Sequence, residues 1–180
     1  EASGIDYRVI VISSYGDWTN NMICPSKPLS GNDCVYPVKG PPKLTNRYYH
    51  YDYNIQSNDS YTRVLESYRK DDQWHLAPLG WSQWLRKEAL KMIIEVSDDN
   101  SAPTTAANFD FMLRVLDPVQ FGNANKRNYI FHAIVGMKGN VDPTVPWGPK
   151  DPLQMTICGK DAENVGIEHQ SMAILTGGLR

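Results

Sequence analysis

The chain has 180 residues, of which 41% are hydrophobic and 21% charged, an ordinary globular composition with enough length for one buried core. Its 18 basic residues against 20 acidic ones leave a net charge of −2, which offers no electrostatic footprint for nucleic acid and no basic cluster for an anionic membrane. No apolar run approaches the ~20 residues that span a bilayer, and the first residue is Glu rather than Met, so the chain is read as mature, trimmed or partial.

In chain order, residues 5–13 are expected to form a strand, β-branched and apolar in its second half. The segment at 14–46 has few periodic apolar positions and carries Pro25, Pro28, Pro37, Pro41 and Pro42. Loops this long in a compact domain are functional or stapled. Cys24 and Cys34 bracket a part of it rich in Pro, Gly, Ser and Asn, and a disulfide between them is preferred over two free thiols. Its pairing implies an oxidising compartment and leaves Cys158 without an assigned partner. Residues 47–55 alternate aromatics as a strand does. Ser57-Asn58-Asp59-Ser60 reads as a turn and helix N-cap, leading into a helix through Val64, Leu65 and Tyr68.

A second helix is expected at 81–89 with Trp81, Trp84 and Leu85 on one face, then a buried strand at 91–97. An amphipathic helix over 104–116 carries Phe109, Met112, Leu113 and Leu116. A buried strand at 129–136 and an irregular, proline-bearing stretch at 137–165 follow. A last helix at 166–175 is stopped by Thr176-Gly177-Gly178. Strands alternating with helices predict one α/β domain over residues 1–180, with a mostly parallel, doubly wound sheet of Rossmann-like type.

The chemistry concentrates at residues 91–101, Lys-Met-Ile-Ile-Glu-Val-Ser-Asp-Asp-Asn-Ser. An apolar strand ends there in hard oxygen donors, at the sheet edge where open α/β sheets bind ligands, and such donors suit Mg²⁺ or Ca²⁺. The bland reading of Asp98 and Asp99 is a helix cap in a solvated loop. The histidines, His50, His75, His132 and His169, show no zinc spacing. His132 reads as a core histidine and His50 as facing a sheet surface. No Gly-x-Ser-x-Gly elbow, Walker loop or Gly-x-Gly-x-x-Gly occurs. The aromatics Tyr48, Tyr49, Tyr51, Tyr53, Trp74, Trp81 and Trp84 read as packing, with an exposed contact patch as the lesser alternative.

Three stretches, Gly4 to Ile12, Lys91 to Asp99 and Ile174 to Gly178, resemble the second strand, the fourth strand and the closing helix of the von Willebrand factor type A domain. The long loops and cysteines resemble exported bacterial members. The resemblance implies a metal-ion-dependent adhesion site at the top of the sheet. There Asp98 would match the family's third loop, and Ser57 or Asp59 would be the donor of the second, with Asp99 beside them. It also implies that the family's first strand, with its Asp-x-Ser-x-Ser loop, and its last strand are not in this chain. That first strand is central in the family's sheet, so another segment or chain is expected to supply it.

The function implied is an exported or cell-surface binding and adhesion module, not an enzyme, capturing a protein ligand through Mg²⁺ or Ca²⁺. The alternative is a structural or assembly subunit whose sheet is completed from elsewhere, without a working metal site. A hydrolase using Asp98 and Asp99 lacks a candidate base and nucleophile. The native protein is expected to show an intact mass above 20.4 kDa or a second chain bound to this one; a stable monomer of that mass would contradict this expectation.

Overall fold

The computed structural model describes residues 4–15, 22–35, 37–160 and 162–180. Parts of the long 14–46 segment, at 16–21 and at 36, lie outside the described residues. The chain forms two compact units, Glu1–Ile55 with Glu66–Leu85, and Gln56–Leu65 with Arg86–Arg180. Each holds one pair of parallel strands with its own packing.

In the first unit, β1 (Val9–Ser13) pairs in parallel with β2 (Tyr48–Asp52), Val9 opposite Tyr48 and Ser13 opposite Asp52. Parallel neighbours cannot be joined by a tight turn, and the long connection between these two is stapled by the Cys24–Cys34 disulfide, with Cα atoms 5.8 Å apart. Strand β2 is buried along nearly its whole length. Tyr51 is fully buried, and its ring meets Trp84 edge-on at 6.5 Å. The tryptophans belong to a short 3₁₀ turn, Trp81–Trp84, rather than to the expected helix over 81–89. Leu85 is already extended.

His50 departs from its expected place on a sheet surface. It is fully buried, with the Tyr15 ring edge-on at 5.0 Å. Its Nδ1 pairs with the Tyr48 hydroxyl at 2.9 Å and its Nε2 lies 3.1 Å from the Ser13 hydroxyl. Burial lowers its pKa, against the carbonyl of Ser13 and the charge of Asp52. Asp52, also buried, organises the loops of this unit. It accepts hydrogen bonds from Tyr15 N at 2.8 Å, from Trp74 Nε1 at 2.7 Å and from Gln73 Nε2.

In the second unit, β3 (Lys91–Ser97) pairs in parallel with β4 (Tyr129–Val135), Lys91 opposite Tyr129 and Ser97 opposite Val135. The crossover carries α2 (Ala106–Leu116) and a one-turn helix, Pro118–Phe121, capped by Asp117, which accepts from Gln120 N at 3.0 Å. Helix α1 (Ser60–Ser67) places Tyr61, 1% exposed, in the core. The Tyr61 ring stacks on Phe109 at 4.1 Å and meets Phe131 and His169 edge-on at 5.9 and 5.0 Å. The last helix, Ile167–Thr176, packs against β4 and ends at Gly177, whose φ of 80° is the left-handed cap glycine favours.

Hydrogen-bond direction decides which strand edges are satisfied. Lys91 N donates to Asn128 O at 3.2 Å, and in a parallel ladder successive residues turn their main-chain groups to opposite sides. Lys91, Ile93, Glu95 and Ser97 therefore face β4, while Met92, Ile94 and Val96 face the other edge. Among the described residues nothing pairs with that edge. The side chains of Met92, Ile94 and Val96 are also exposed, at 61%, 57% and 70%. The far edge of β4 is different: Phe131 N donates to Thr176 Oγ1 at 2.9 Å and Ala133 N to Leu179 O at 3.0 Å. A Cβ at Gly178 would lie 1.8 Å from Phe131 O, so only glycine lets the chain end lie along β4. In the first unit Val9 N donates to Arg47 O at 2.7 Å, which by the same rule turns Ile10 and Ile12 away from β2.

A charged cluster ties the crossover to β4. Asp110, 3% exposed, accepts from Arg114 Nη2 at 2.8 Å, from Arg127 Nε at 2.6 Å and from the Tyr129 hydroxyl at 2.5 Å. Burial opposes ionisation of Asp110, but these donors outweigh it and hold the carboxyl well below the usual range. A depressed native pKa adds stability that is present above the unfolded value near pH 4 and is lost as pH falls below it. Asp110→Asn should cost about 2–3 kcal/mol at pH 7 in chemical denaturation, because it leaves Arg114 and Arg127 without their counter-charge, and the loss should shrink below pH 4. Reducing the Cys24–Cys34 bridge, or replacing both cysteines by Ser, should cost about 2–3 kcal/mol by the same measurement.

Candidate functional site

The C-terminal end of β3 is held in place by hydrogen bonds to two other segments. Ser97 Oγ donates to Ser57 O at 2.8 Å and accepts from Asp99 N at 3.2 Å. Ala102 N donates to Asn58 O at 2.8 Å. From the far side, Glu163 N and Asn164 N both donate to Asp98 O, at 2.9 and 3.1 Å. The turn after β3 thus sits between the 57–58 loop and the end of the irregular stretch, with an open cleft of about 460 Å³ lined by Asn58, Asp99, Asn100, Ala102, Asn164 and Val165.

The two adjacent aspartates have different surroundings. Asp99 is 9% exposed, and its Oδ1 accepts from Asn100 N and from Asn164 Nδ2, both at 2.7 Å. Asn100 Oδ1 in turn accepts from Glu168 N at 2.8 Å, in the first turn of the last helix. Glu168 Oε2 accepts from Ala106 N at 2.6 Å, closing the ring onto the first turn of α2. Asp98 instead carries an exposed carboxylate with no hydrogen bond or ion pair among the described residues.

The other expected donors divide in the same way. Asp59 is engaged: its Oδ1 accepts from Gln56 N at 2.8 Å, and its Oδ2 from Arg63 Nε at 2.7 Å, which caps and braces the helix start. Ser57 is exposed and contributes its carbonyl, not its hydroxyl, to the contact with β3. Among the described residues no group of three or more His, Cys, Asp or Glu is gathered as a metal would need. The structure therefore brings Ser57 and Asp98 to the same end of β3, while Asp59 and Asp99 are occupied by local hydrogen bonds. Asn58 and Asn100 lie in stretches that the sequence already marked, whereas Asn164 and Glu168 were not singled out; their one signal is position, just before or at the start of the last helix. Cys158 is exposed and free.

Two titratable groups lie beneath this end of the sheet. Burial pushes the Glu95 carboxyl up to about 7, the nearby Ser60 hydroxyl offsetting part of the shift. Burial pushes His169, fully buried, down to about 4, with the charge of Asp99 opposing. Both groups are thus biased toward their neutral forms. A carboxyl whose native pKa is raised contributes most below its unfolded value near 4.5, and that contribution is lost as pH rises through 7.

The polar residues lining the cleft are Asn58, Asn100, Asn164 and Asp99, and the neighbouring Asp98 carboxylate is exposed. They can accept and donate hydrogen bonds and attract a cation. Compared with protein-family models, with curated proteins and with solved structures, the chain matches none.

Asp98→Ala should leave stability within about 0.5 kcal/mol of the parent, as for an unengaged surface residue, while Asp99→Ala should lose about 1–3 kcal/mol by stranding Asn164 and the Asn100 amide. Urea denaturation of the two variants checks this. Glu95→Gln should stabilise the protein above pH 7 and flatten its stability between pH 4.5 and 7, measured as melting temperature against pH.

Proposed function

We propose that this chain is a binding module of the von Willebrand factor type A kind, exported or displayed at a cell surface, whose ligand is a protein. In this reading a strand supplied by another segment or chain pairs along the open edge of β3. A Mg²⁺ or Ca²⁺ would be held by Asp98, with Ser57 as the donor of the neighbouring loop and further oxygens from the turn of the incoming strand. A hard cation needs six or more oxygen ligands, and the residues gathered here cover only part of that number. Asp59 and Asp99 act as braces that position the two loops. The cation supplies an electrophilic centre that a partner carboxylate can occupy.

The observation that carries this reading is the pairing of an unengaged carboxylate, Asp98, with a second loop fixed beside it by Ser97 Oγ and Ser57 O, 2.8 Å apart. The Cys24–Cys34 bridge supports export, since disulfides persist in oxidising compartments. Among the described residues no helix is long and apolar enough to cross a membrane. The second reading, an assembly subunit without a working metal site, is favoured by the open edge and exposed apolar face of β3, because strand addition to an open edge is an established mode of assembly.

Calorimetric titration of the native protein with CaCl₂ and MgCl₂ separates the two. The adhesion reading expects saturable binding of one of them, weakened at least tenfold in Asp98→Ala. Absence of binding, or binding that Asp98→Ala leaves unchanged, would overturn it in favour of the assembly reading.

A further inference from the structure

We draw no further inference here: the strongest candidate, the exposed apolar face of β3 formed by Met92, Ile94 and Val96, is an unpartnered sheet face and nothing in the structure shows what covers it.

Discussion

The parallel pairing of β3 with β4 is the constraint on which the second unit depends. Once Lys91 donates to Asn128 O, the alternation of the ladder assigns every later residue of β3. Odd-numbered positions satisfy their main-chain groups against β4, and Glu95 among them carries a desolvated carboxyl. Even-numbered positions have an open edge and exposed aliphatic side chains. The same register delivers Ser97 to the end of the sheet, where its hydroxyl reaches the 57–58 loop. Edge, face and site are therefore consequences of one strand register, and a slip of one residue would exchange all of them.

Buried carboxylates organise the rest. Asp52 gathers the main chain at Tyr15 and the side chains of Gln73 and Trp74. Asp110 gathers two arginines and a tyrosine, and Asp99 joins Asn100 and Asn164. A buried carboxylate is costly unless several donors face it; loops and helix termini provide most of them, and for Asp110 the first residue of β4 adds another. Asp98 is the counterexample. Its backbone carbonyl is used twice by the 163–164 segment, while its side chain is exposed. That division, main chain engaged and side chain exposed, is what separates Asp98 from Asp99.

Period and punctuation made much of this legible from sequence. The strands at 9–13, 48–52, 91–97 and 129–135 follow from β-branched and aromatic runs, and the helix at Ala106–Leu116 from the stripe of Phe109, Met112, Leu113 and Leu116, its start shifted to follow the Thr105 cap. The Cys24–Cys34 bridge follows from its loop. Misreadings arose where tertiary contacts outweigh local pattern. Trp81 and Trp84 suggest a helical face, but the chain enters through Gly80, with φ 74° and no room for a Cβ beside Tyr68 O, makes a 3₁₀ turn and is extended again at Leu85. His50 alternates as a surface residue would, yet Tyr15 closes over it. At the site, Ser57, Asp59, Asp98 and Asp99 could be named from sequence position, but not sorted. Sorting depended on Arg63, Gln56 and Asn164, and Asn164 lies in a stretch with no periodicity to locate it.

The open edge of β3 is the point on which both functional readings rest, and amide hydrogen exchange of the native protein tests it directly. If another strand lies along that edge, the amides of Met92, Ile94 and Val96 exchange as slowly as those of Ile93 and Glu95, which already face β4, giving unbroken protection from 92 to 96. An alternating pattern in the native protein, slow at Ile93 and Glu95 and fast at Met92, Ile94 and Val96, would contradict the account.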